Sequence, residues 1–263
     1  METQLKIVKV LLATGLFIYI LVGITLYLLQ DNYLFFPDNL PFDDCTEFPI
    51  GTEAIEYNGE RFFFKNNSEN LVIFYPGNAA SGCAWGFLGN LFDEKNYSFL
   101  VSVYPGFSGD QRNPSISSVK EYVEVINQFS SSYENIILMG FSIGSGAAAF
   151  HASRNQDTNA ILLISSFSRL SDVAQKHYPL YPATLLLNDD FDNIENLRRF
   201  SGNLIQIHGI NDRIVPIESA KKLFDNLNLE SKKFVEIDTD HNNIFNSHEV
   251  FDIINDFLSN NKK

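Results

Sequence analysis

The sequence predicts an α/β fold: a doubly wound, mostly parallel sheet with a short insertion, preceded by one N-terminal transmembrane helix. Three observations carry this. Short apolar runs that read as buried strands alternate with helical stretches along most of the chain, the pattern of a parallel sheet covered by helices on both faces. The segment Val10 to Leu29 holds no charged residue. The 263 residues suit a single α/β domain after that segment.

Taken in order, the first element is the apolar segment. Twenty helical residues rise about 30 Å, the thickness of a bilayer core. The run ends Leu26-Tyr27-Leu28-Leu29, with bulky residues where a cleaved signal needs small ones, so an uncleaved anchor over residues 1–30 is expected. Lys6 and Lys9 precede the run and Asp31 follows it. The positive-inside rule then leaves the amino terminus in the cytoplasm and the domain, residues 31–263, on the outer side of the membrane, in a periplasm or its equivalent. Tyr33, Phe35, Phe36 and Pro37 come next, as an interfacial belt or as the domain's first contact with lipid.

Glu53–Tyr57 and Arg61–Lys65 flank Asn58-Gly59, which reads as an antiparallel hairpin with a tight turn. Strands are expected at Asn70–Tyr75, Phe99–Tyr104, Asn135–Met139, Ala160–Ile164, Asn203–Gly209 and Lys233–Asp238, with a helix from Val119 to Phe129. Between Ser165 and Asn203 the pattern turns irregular and aromatic. Residues 166–202 read as a lid-like insertion, the alternative being a plain helical crossover.

Gly140-Phe141-Ser142-Ile143-Gly144 lies between the apolar run 135–139 and the small-residue helix Gly144-Ser145-Gly146-Ala147-Ala148-Ala149. Strand, G-x-S-x-G, helix is the context of a nucleophile elbow, in which a sharp strained turn lifts a serine hydroxyl from the sheet edge. A serine hydroxyl needs an imidazole to take its proton, and the imidazole needs a carboxylate to fix its tautomer. Both partners follow in chain order. Asp212 sits just past the run 203–209, and His241 lies in the polar loop after 233–238. His151 and His248 fall on helices, His177 in the insertion and His208 inside a strand, and the rival acids Asp238 and Asp240 lie too close in sequence to His241 for the usual topology of such a site. Ser142, Asp212 and His241 are therefore the expected nucleophile, acid and base. The loop Pro76-Gly77-Asn78-Ala79-Ala80-Ser81-Gly82 after the strand 70–75 should supply one oxyanion-hole N–H, from Asn78 or its neighbour Ala79, and Ile143 the other.

With these motifs the chain resembles the alpha/beta hydrolases, and within them the bud-emergence-type branch of membrane-anchored serine hydrolases. The likeness rests on Pro76-Gly77-Asn78-Ala79, Tyr104-Pro105-Gly106-Phe107-Ser108-Gly109, the elbow, His208-Gly209 through Asp212 to Val215-Pro216, and His241-Asn242. Tyr178-Pro179, Leu185-Leu186-Leu187 and Phe191-Asp192 fit the family's inserted segment. Pro76 and Pro105 stand where the family often has histidine and arginine. The resemblance implies hydrolysis of acyl esters through an acyl-enzyme, with thioesters and amides open, and without a cofactor or metal. A serine peptidase or amidase of the same fold, or a non-catalytic scaffold, are the alternatives. Tyr178, Tyr181, Leu185 and Leu186 are the expected apolar walls of the acyl pocket.

The net charge of −13 argues against nucleic acid, whose phosphates need clustered Lys and Arg. The expected partners are an acyl-ester or lipid-like small molecule, as the resemblance implies, and the membrane through the N-terminal helix. Cys45 and Cys83 would pair in an oxidising compartment or remain two separate thiols.

Overall fold

The computed structural model describes residues 1–43, 45–79 and 82–262. Helix α1 (Glu2–Leu34) continues four residues past the expected end of the anchor and, at 1.5 Å per residue, is about 50 Å long. The domain follows in the order β1 (Glu53–Tyr57), β2 (Glu60–Lys65), β3 (Asn70–Tyr75), α2 (Gly86–Glu94), β4 (Ser98–Val103), α3 (Ile116–Phe129), β5 (Asn135–Phe141), α4 (Ile143–Arg154) and β6 (Thr158–Ile164). It is completed by α5 (Leu170–His177), α6 (Ala183–Leu186), α7 (Asn193–Asn196), β7 (Asn203–Gly209), α8 (Ile217–Asn226), β8 (Lys232–Ile237) and α9 (His248–Asn261).

One sheet takes the order β1-β2-β4-β3-β5-β6-β7-β8. β2 pairs antiparallel with β1 and β4, and every pair from β4 to β8 is parallel. The hairpin forms because Asn58 and Gly59 both take positive φ, 50° and 81°, as a two-residue turn matched to strand twist requires. β3, β4 and β5 are buried along their whole lengths, so their sequences are largely apolar and do not alternate, with Ser98 and Ser102 of β4 buried among them.

The helices cover both faces. α3 begins at a capping box in which the Ser115 hydroxyl accepts the Ser118 N–H and the Ser118 hydroxyl accepts the Ser115 N–H. Its buried Val119, Tyr122, Val123 and Ile126 recur at the spacing of one helical face. Cys45 and Cys83 are joined in a disulfide with 5.6 Å between Cα atoms, tying the chain ahead of the sheet to the turn before α2.

α4 runs through the interior, and His151 on it is fully buried with Nδ1 2.6 Å from the Tyr75 hydroxyl. Burial pushes its imidazole down to about 3, whereas the unfolded chain protonates near 6.5. The unfolded state therefore takes up the proton first, so this contribution to stability is complete above about pH 6.5 and is lost as pH falls toward 3. For the full chain in detergent, the loss of unfolding free energy between about pH 7.5 and about pH 5 should shrink by about 2 kcal/mol in His151→Leu. An unchanged slope in denaturant titrations would mean that His151 is protonated in the fold.

Candidate active site

The elbow is built by close approach. Gly140 ends against the first turn of α4, where a Cβ would strike the Gly144 carbonyl, and a Cβ on Gly144 would strike the carbonyls of Tyr75 and Pro76. With glycine two residues to either side of Ser142, β5 turns into α4 at a single residue. Ser142 is held at φ 54°, ψ −122°, a conformation costly for a residue with a side chain. Its N–H donates to the Ile164 carbonyl at 2.9 Å, so the turn is pinned to β6.

Ser142 opens into a cavity of about 710 Å³ that is also lined by Gly77, Asn78, Ile143 and His241. Ile143 is the first residue of α4, so its N–H is one of the helix donors without an intrahelical acceptor. Asn78 is fixed from outside the loop: its side-chain amide donates to the Leu34 carbonyl at 2.8 Å and its own carbonyl accepts the Phe36 N–H at 2.9 Å. The end of α1 is thus docked on the loop expected to hold the oxyanion. Ala80 and Ser81 of that loop lie outside the described residues.

His241 and Asp212 meet across two loops. His241 Nδ1 lies 2.7 Å from Asp212 Oδ2, and Asp212 Oδ1 accepts the Ile214 and Val215 N–H groups at 2.9 and 2.8 Å. Burial alone would raise this carboxyl; the hydrogen bond and charge of His241, the Val215 N–H and nearby His208 outweigh it and hold the group below the ordinary carboxylate value. Asp238 instead accepts from the Asn211 side chain, and Asp240 caps its own exposed loop by accepting from Asn242 and Asn243.

His208 lies inside a strand as expected, but sequence reasoning missed what it does there. It is buried at the end of β7, where Nε2 bonds the Val215 carbonyl at 2.9 Å and lies 3.5 Å from Asp212 Oδ2. Burial lowers its imidazole, so it stays neutral and braces the 212–215 loop from beneath. The signal was its position four residues before Asp212, where the strand ends and the chain curls back.

The cavity walls differ from expectation. Tyr178 lines the cavity, but Tyr181 and Leu186 line a separate groove against α1, and Leu185 is 78% exposed. Leu170, Val173, Ala174 and His177 of α5, together with Trp85, Phe141 and Phe245, supply the walls instead. Tyr33, Leu34 and Phe36 at the end of α1 complete the rim. Phe141 and Phe245 stood at readable offsets, one residue before Ser142 and four after His241; nothing in the sequence pointed to Trp85.

No family model matches the chain. It is 27% identical over 193 residues to L404 of Acanthamoeba polyphaga mimivirus, whose name assigns it provisionally to the alpha/beta hydrolases; the match covers 68% of this chain and 70% of that one. YNL320W of Saccharomyces cerevisiae, an uncharacterized membrane protein, is 24% identical over 242 residues, 86% of this chain and 84% of its own. The phosphatidylserine lipase ABHD16A of Bos taurus is 29% identical over 171 residues, 60% of this chain but 30% of the lipase. Among solved structures, the Pyrococcus furiosus esterase Pf2001 superposes with a TM-score of 0.64 at 14% identity, covering 86% of this chain and 98% of the esterase. Fold and relatives together place the chain in the alpha/beta hydrolase superfamily. Its long apolar N-terminal helix and its likeness to a yeast membrane protein fit the bud-emergence-type branch within it.

Proposed function

We propose that the protein is a membrane-anchored serine hydrolase that cleaves acyl esters. The observation that carries this reading is Ser142 at the strained elbow, opening into one cavity with a His241 that is bonded to a buried Asp212. In the proposed reaction Ser142 Oγ attacks the ester carbonyl carbon while His241 Nε2 takes its proton. The Ile143 and Asn78 N–H groups receive the oxyanion. The C–O bond then breaks, the alcohol departs with the proton from His241, and the acyl group remains on Ser142. Water, deprotonated by the same imidazole, releases the acid and restores the serine. The predominantly apolar walls favour an acyl chain over a polar substrate, in keeping with the esterase and lipase names among the relatives.

The test is activity-based labelling of the full chain. A fluorophosphonate should modify Ser142, identified by mass spectrometry of the labelled peptide. A protein that stays unlabelled while folded would be a scaffold rather than an enzyme.

We further propose that α1 spans the membrane with the domain, residues 31–263, outside the cytoplasm. Lys6 and Lys9 ahead of the apolar run support this, and so does the Cys45–Cys83 disulfide, a bond that persists in oxidising compartments. A reporter enzyme active only outside the cytoplasm should work when fused to the carboxyl terminus. Activity of a cytoplasm-only reporter at that position would reverse the orientation.

A further inference from the structure

The segment 178–187, Tyr-Pro-Leu-Tyr-Pro-Ala-Thr-Leu-Leu-Leu, carries no charge and runs beside α1 instead of closing over the sheet. At one end the Tyr181 ring stacks on Tyr19 with centroids 4.7 Å apart, and the Tyr19 hydroxyl donates to the Leu180 carbonyl at 2.8 Å. Gly23 lies under the same ring, where a Cβ would meet it at an ordinary contact distance of 3.4 Å. At the other end the Gln30 side chain donates to the Leu186 carbonyl at 3.2 Å and accepts the Asn188 N–H at 2.8 Å. Tyr19 stands in the middle of the charge-free stretch Val10–Leu29, and Gln30 lies eleven helical steps further on, about 16 Å. When that stretch spans a bilayer, segment 178–187 lies in the leaflet next to the domain.

Much of the segment's backbone is satisfied from within the protein. Hydrocarbon offers no hydrogen bonds, so irregular backbone survives there only if the protein satisfies it. The Gln175 side chain donates to the Pro179 carbonyl and accepts the Ala183 N–H. Tyr19 and Gln30 take the carbonyls of Leu180 and Leu186. The Pro182 carbonyl accepts from Leu185 and Leu186, and that of Ala183 from Leu187. Pro179 and Pro182 have no N–H to satisfy. Leu180 and Leu185, 77% and 78% exposed, then face lipid and not water.

A narrow apolar space lies between this segment and α1, lined by Leu26, Leu34, Ala174, Ala183, Leu186 and Leu187 among others. It shares Tyr33, Leu34, Ala174 and Tyr178 with the Ser142 cavity. At its far end it shares Tyr181 and Leu186 with the groove along Tyr19 to Tyr27. Gln30, the one amide on its lining, has both ends of its side chain bonded to backbone. Three neighbouring, mostly apolar spaces thus share wall residues in sequence from Ser142 to the face of α1, the middle one only about 70 Å³.

We propose that this path is an acyl-chain subsite: the hydrocarbon tail of a membrane-resident lipid ester lies between α1 and 178–187, with its ester carbonyl at Ser142. The anchor helix is then a wall of the substrate site as well as a tether. The proposal rests on the serine-hydrolase reading above, and its test separates the two.

The probe is a dodecyl fluorophosphonate carrying a diazirine at the end of its chain, applied to the full protein in phosphatidylcholine vesicles. Ser142 Oγ forms a bond to phosphorus as fluoride leaves, which fixes one end of the chain. Irradiation then inserts the other end into whatever it touches. Insertion is expected within residues 23–34 or 178–187. Insertion confined to the Trp85 and Phe245 side of the cavity would overturn the subsite while leaving the hydrolase intact. A chain that never reacts with Ser142 would overturn the hydrolase reading and the subsite with it. As a second measurement, Leu26→Trp should lower the ratio of dodecyl to butyl labelling rates at least about tenfold, since each buried methylene is worth up to about fourfold. An unchanged ratio, or an equal fall in both rates, would place the tail elsewhere.

Discussion

Ser142→Ala should abolish fluorophosphonate labelling and lower ester turnover by about 10⁶-fold, the scale on which serine hydrolases lose activity when the nucleophile is removed. The fold should survive. Alanine keeps the Cβ, so the strain at φ 54° is neither relieved nor increased, and the Ser142 N–H that holds the turn to β6 is untouched. Only the hydroxyl is lost, and among the described residues no hydrogen bond of the fold depends on it. Circular dichroism and the unfolding midpoint should match wild type. A variant that still labels would move the nucleophile to another residue.

The parts of this molecule that were legible in sequence are those fixed by local pattern. β3 and β5 read as continuous apolar runs because they are buried on both faces. Asn58-Gly59 announced its hairpin by the φ angles it permits, and the elbow announced itself through two glycines that no other residue could replace without striking backbone. That Asp212 and His241 would meet was legible because the loop after each strand carries its residue to the same edge. The position of β4 between β2 and β3 was not, since every apolar strand looks equally central. Nor was the pairing of Cys45 with Cys83, which depends on how two irregular segments meet.

The insertion shows where local pattern fails. Tyr181, Leu185 and Leu186 were expected as pocket walls because the resemblance implies an insertion that folds over the strand ends. α1, however, continues to Leu34 and offers a second apolar surface alongside the site. α5 covers the cavity, through Leu170, Val173 and Ala174, and releases the next ten residues to the helix. Which of two apolar surfaces a short uncharged segment takes is decided by hydrogen bonds such as Tyr19 to Leu180 and Gln30 to Asn188, and these join residues some 160 positions apart.

Asp212→Asn should cut kcat/KM for a soluble p-nitrophenyl ester by about 10⁴-fold while leaving the fold in place. The side chains are isosteric, so the cause is the proton at His241 Nδ1. In the wild type one carboxylate oxygen accepts two N–H groups, from Ile214 and Val215, and the other faces Nδ1. An asparagine must keep its single oxygen on those two donors, because turning the amide around would set NH₂ against them. The NH₂ group then faces His241 Nδ1, which has to accept instead of donate. The imidazole proton moves to Nε2, the nitrogen needed to take the proton of Ser142. His208 offers no rescue, since its Nε2 is bonded to the Val215 carbonyl. Asp240→Asn should cost less than about tenfold: Asp240 is on an exposed loop bonded to Asn242 and Asn243, and its loss loosens the loop without changing the tautomer. The opposite ranking of the two variants would transfer the acid's role to Asp240. Equal small effects would leave His241 working without a carboxylate.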